Sequence, residues 1–191
     1  MQMKSVLMLR RKVKKIVYYL RKITRGKWPG EAQIALATLR DIQADTVVAE
    51  FKTDQNKLSV WKVESQTDIE DAFIALGSNC SNIGTIWAAK ISPEDLPEAE
   101  FENEEGDTPT IGINHKHYNI TRLNYVTLGD VISSVLGCLR SQDSRIVVKS
   151  RSEMKRILAK AYTQSRLDVK GLNSSVLQDI KKEIERHPII D

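Results

Sequence analysis

Runs rich in β-branched and aromatic residues come early in this chain and long runs with helical spacing come late. That order constrains the fold more than any single motif. TVVAEFK (46–52) and LSVWKVE (58–64) are joined through TDQN and have the composition of a hairpin. TIWAAKI (85–91), TIGINHKH (110–117) and the short RIVVK (145–149) read as further strands. TLGDVISSVLGCLRS (127–141) places Val131, Val135, Leu136 and Leu139 on one side of a helix. EMKRILAKAYTQ (153–164) follows a capping box formed by Ser150 and Glu153, and SSVLQDIKKEIER (174–186) closes the chain as a helix ended by His187-Pro188. A regular alternation of strand and helix is missing, so the expected class is α+β: a small antiparallel or mixed sheet with packed helices.

Three shorter features complete the outline. EAQIALATLR (31–40) is expected to hold a short helix, and PEDL (93–96) a helical turn. Thr67 and Glu70 have capping-box spacing at the head of DIEDAFIAL, whose helix should end at Gly77. A chain of 191 residues is long enough to bury one good core.

Ahead of this body lies MLRRKVKKIVYYLRKITRGKW (8–28), which contains no acidic residue. Val6, Leu9, Val13, Ile16, Leu20 and Ile23 recur at spacings of three and four, a heptad seam, and the cations centre on the opposite side. The expectation is a basic amphipathic helix over 1–28, stopped by Gly26, Pro29 and Gly30, as an arm on a single α+β domain over 29–191. Residues 1–30 carry ten Lys or Arg, so the remainder holds 19 basic against 25 acidic residues, a charge of −6. A block of opposite sign, PEDLPEAEFENEEGD (93–107), has eight acids and no base. Like-charge blocks of this kind mark exposed loops or interaction segments.

The basic face singles out Arg10, Arg11, Lys14, Lys15, Tyr18, Arg21, Lys22 and Arg25 as contacts for a polyanionic or protein partner. Cations can follow a phosphate backbone, and Tyr18 can stack on an unpaired base. An acidic protein groove and an anionic membrane surface are further candidate partners, and docking of the seam onto the chain's own body is another outcome. The seam residues Val6, Leu9, Val13, Ile16, Leu20 and Ile23 could also pair two copies into a homodimer. The expected function is thus a non-enzymatic binding or assembly protein. Apolar runs are broken by charge before the roughly 20 residues that a bilayer span requires, so no transmembrane segment is expected. Only Cys80 and Cys138 are present, which suggests no disulfide framework and fits a reducing, cytoplasmic setting.

Catalytic candidates are sparse. No dinucleotide or phosphate-loop fingerprint and no paired Cys-x-x-Cys occurs, and no cofactor is expected. His115 and His117, two apart on an expected strand, would project from one face as two metal ligands, with Asp107, in a loop, and His187, at the chain end, as the only candidates for the further ligands a site needs. Cys80, in the polar loop GSNCSNIG, fits a small packing residue at a helix end better than a nucleophile. Asp41 or Asp45 together with Glu50-Phe51-Lys52 resembles the Asp…Glu-x-Lys arrangement of the PD-(D/E)xK nuclease superfamily. That resemblance implies acids holding a divalent metal and a lysine positioning water or phosphate, with Glu50 and Lys52 on the same strand face. The order of elements departs from that family, since a second strand rather than a helix follows Glu-x-Lys.

Overall fold

The computed structural model describes residues 16–141 and 144–187. Six strands form one wholly antiparallel sheet: β1 (Tyr18–Ile23), β2 (Leu58–Val63), β3 (Ile86–Ile91), β4 (Glu100–Asn103), β5 (His117–Thr121) and β6 (Ile146–Lys149). Their spatial order is β4-β5-β2-β1-β3-β6. The helices are α1 (Glu31–Ile34), α2 (Ala44–Glu50), α3 (Gln66–Ser78), α4 (Tyr125–Arg140), α5 (Arg151–Thr163) and α6 (Ser174–Arg186). The fold is α+β, as the order of sequence patterns implies.

Helices cover both faces of the sheet, so there are two cores. Leu20, Trp61, Val63, Ile86 and Ala88 look toward α3, α5 and α6, where Phe73, Met154, Leu158, Val176 and Ile180 complete the first. Tyr19, Ile23, Leu58, Val60, Ala89, Ile91 and Ile120 look the other way and pack with Val131, Val135 and Leu136 of α4. Gly77 permits the close approach of α5 to α3, since a Cβ there would lie 2.5 Å from Met154 Cε and 3.3 Å from Leu158 Cδ1.

The arm over 1–28 is corrected where it can be observed. Residues 1–15 lie outside the described residues, but Tyr18–Ile23 is a strand and Arg25–Lys27 a single 3-10 turn. This strand pairs with β2 on one side and β3 on the other, so it is the body's own interior and no domain boundary falls at residue 28. The physical reason is that a central strand is buried on both faces and need not alternate apolar with polar residues. Ile16, Leu20 and Ile23 then have helical spacing by coincidence. Leu20 and Ile23 belong to opposite faces, so they cannot form one seam for a homodimer; Ile16 is exposed, and Val6, Leu9 and Val13 lie outside the described residues.

The expected hairpin is also corrected, because most of TVVAEFK is α2 and β2 pairs with β1 and β5 instead. Tertiary bonds override the β-propensity of its residues. One turn apart on α2, the Thr46 hydroxyl donates to the Lys27 carbonyl at 2.5 Å and the Glu50 carboxylate accepts the Thr24 N–H at 2.8 Å. TIGINHKH holds only the start of a strand: 114–116 is a 3-10 turn and β5 begins at His117. The first long helix begins earlier than its expected cap. Ser65 accepts the Asp68 N–H at 3.2 Å, while the Asp68 carboxylate accepts the Glu64 N–H and the Ser65 hydroxyl. The capping box of Ser150 and Glu153 stands as expected.

Candidate functional site

Of the eight contact candidates in the N-terminal stretch, Arg10, Arg11, Lys14 and Lys15 fall outside the described residues. The other four divide between structure and surface. Arg21 is turned inward, donating to the carbonyls of Ser59 at 2.8 Å and Glu50 at 2.6 Å. Burial pushes its guanidinium down to about 10, opposed by the charge of Glu50, and its buried Nε has no hydrogen-bond partner among the described residues. Arg25 donates to the Pro29 carbonyl at 2.8 Å and so pins the turn after β1. Tyr18 is half-buried against the first core. Lys22 alone is exposed.

Lys22 stands where the sheet is not covered. On the α3 side, the face of the central strands changes from apolar to polar partway along. The row Leu20, Trp61, His117 is followed by Ser59, Asn119 and Glu102, which are register partners on β2, β5 and β4. Between these strands, the end of α3 and the loops at 54–57 and 104–108 lies a cleft of about 520 Å³. Lys22, Ser59, Trp61, His117, Asn119 and Asn79 contribute to its lining. Thus Lys22 and His117, separate candidates in the sequence, share one site.

Hydrogen bonds fix much of this lining. The Glu104 carboxylate accepts from Lys57 Nζ at 2.8 Å and from Asn119 Nδ2 at 2.6 Å. The Lys57 ammonium, followed by the Asn119 amide, holds the Glu104 carboxyl below its ordinary range, and Glu104 in turn raises Lys57. His117 Nδ1 lies 2.7 Å from the Glu104 carbonyl oxygen. A carbonyl can only accept, so Nδ1 carries the proton and the neutral ring presents Nε2 as an acceptor. The Trp61 ring holds the imidazole edge-on, with centroids 5.2 Å apart.

The other catalytic candidates do not converge. His115 is exposed on the 3-10 turn while His117 opens β5, so the two do not share a strand face. No group of three or more His, Cys, Asp or Glu among the described residues has metal-binding geometry. Asp41 is the N3 residue of a capping box with Thr38, Asp45 lies in the first turn of α2, and buried Glu50 ends that helix. Lys52 is exposed just beyond it. Glu50 and Lys52 therefore lack the shared strand face that the nuclease arrangement needs, because the segment is helical.

Ser59 and Asn119 are the site residues that the strand patterns did not reveal. Their signal is parity: Ser59 shares a face with Trp61 and Val63, and Asn119 with His117 and Thr121, positions that should be apolar under a helix. No family model, curated protein or solved structure matches the chain. No helix among the described residues is long and apolar enough to cross a membrane.

The two thiols should differ sharply in reactivity. Cys138 is fully buried, donates to the Lys90 carbonyl at 3.2 Å, and is pushed by burial up to about 11. Cys80 is half-buried, with Lys22 Nζ 3.5 Å from its sulfur. Maleimide at neutral pH should therefore modify Cys80 in the native chain and Cys138 only after denaturation. Peptide mass mapping checks this, and native labelling of Cys138 would contradict its burial.

Proposed function

We propose that the chain is a non-enzymatic binding protein that contacts a polyanion, single-stranded nucleic acid, through Arg10, Arg11, Lys14 and Lys15. The observation that carries this reading is the charge pattern: residues 1–15 contain six cations and no acid, and lead directly into the central strand. Anchoring in the middle of a sheet supports a contact segment because its end is tied to the most buried part of the body. Lys22 adds less to this contact, since Asp54, Glu104, Glu105 and Asp107 share its cleft and repel phosphate.

Binding of this kind should fall steeply with salt and show little base preference. Changing Arg10, Arg11, Lys14 and Lys15 to Gln should weaken it and flatten the dependence of log affinity on log salt by roughly 0.7 per lost contact. Fluorescence anisotropy with a labelled oligonucleotide across a salt series measures both. Equal binding by the variant, or no binding by the native chain, would remove the reading.

A further inference from the structure

We propose that the cleft beside β2 and β5 binds a small dipolar ligand that is cationic at one end and a carboxylate at the other, as a basic amino acid is. Its volume, about 520 Å³, lies within the common range of ligand pockets, roughly 300–1,000 Å³. The charges that line it do not all cancel. Lys57 and Glu104 satisfy each other at 2.8 Å, and Asp54 lies in the field of Lys57. Lys22, Glu105 and Asp107 form no ion pair among the described residues.

What is left over defines the ligand. Lys22 has three donors and, among the described residues, one hydrogen-bond contact, the Cys80 sulfur at 3.5 Å, so it can receive a carboxylate. Glu105, Asp107 and His117 Nε2 are acceptors, which suit a guanidinium or ammonium group. An anion alone would meet a surplus of carboxylates, and a cation alone would leave Lys22 unmatched. Ser59 is exposed and Asn119 is buried against the Glu104 carboxylate, and neither offers the apolar surface that would draw a helix over this part of the sheet.

The test is an amide NMR titration of the full chain with L-arginine. Saturable shifts are expected at Lys22, Ser59, Asn79, His117 and Asn119, with none from L-glutamate. Lys22→Gln should weaken arginine about tenfold, and so should Glu105→Gln combined with Asp107→Asn, the size expected for losing a charged hydrogen bond. On the unaltered protein, 1,4-diaminobutane, which lacks the carboxylate, should likewise bind about tenfold more weakly than arginine. Shifts that scatter over the surface or do not saturate would overturn the proposal. So would equal binding of glutamate or diaminobutane, or unchanged affinity in either variant. The varied residues exclude Arg10, Arg11, Lys14 and Lys15, so arginine binding and polyanion binding fail independently.

Discussion

Removal of residues 1–29 should abolish folding of the remaining chain. The deletion takes away β1, which joins β2 to β3, and so splits the sheet into β4-β5-β2 and β3-β6. It also removes apolar groups from both cores: Leu20 is fully buried, and Ile23 and Trp28 are nearly so. Burying an aliphatic side chain stabilises by roughly 1.5–3 kcal/mol, so Leu20 and Ile23 alone represent a large part of the roughly 5–15 kcal/mol by which a domain is stable. Bonds between segments go as well. Glu50 loses the Thr24 amide, Thr46 loses the Lys27 carbonyl, and the Ser59 carbonyl loses Arg21. Far-UV circular dichroism with urea unfolding checks this: residues 30–191 should show no cooperative transition, whereas the full chain should. A cooperative, native-like transition in the shortened chain would mean that β1 is not the central strand.

The same strand shows why part of the fold was legible in sequence and part was not. Elements whose burial is one-sided announce themselves. In α4 the apolar residues Val131, Val135 and Leu136 recur at helical spacing, and the caps of α5 are local chemistry between Ser150 and Glu153. β1 sends apolar residues into the cores on both faces, so they follow no single period, and Ile16, Leu20 and Ile23 imitate a helix seam. The helix α2 was hidden for the opposite reason. Val47, Val48 and Phe51 favour a strand, and contacts distant in sequence, from the Thr24 and Lys27 backbone, Arg21 and Trp28, favour the helix instead. The cleft was legible in pieces. Lys22 and His117 could be picked out by type, but their meeting depends on a pairing order in which β2 lies between β1 and β5.

Asp71→Ala should destabilise the protein by about 2–4 kcal/mol, the range expected when one member of a largely buried charge cluster is removed. Asp71 accepts from Lys116 Nζ at 2.6 Å and from an Arg166 Nη at 2.5 Å, and is itself 5% exposed. It ties together α3, the turn before β5 and the loop after α5, segments far apart in sequence. Lys116 keeps a second partner, Asp68 at 2.5 Å, but Arg166 loses its only ion pair among the described residues. The lysine and arginine side chains are 23% and 29% exposed, which lets water screen the unpaired charges and keeps the expected cost below that of a fully dry site. The pH dependence has a definite sign. Burial opposes ionisation of Asp68, but hydrogen bonds from Lys116, Ser65 and the Glu64 amide outweigh it and hold the carboxyl down at about 2. An unfolded aspartate titrates at about 3.9, so this contribution is complete above that value and is lost as pH falls toward the folded one. Urea unfolding from neutral pH down to the acid limit of folding measures both effects. A loss below about 1 kcal/mol for Asp71→Ala would place the cluster with ordinary surface ion pairs, and then the packing of Phe73, Met154 and Leu158 would be what holds α3 to α5.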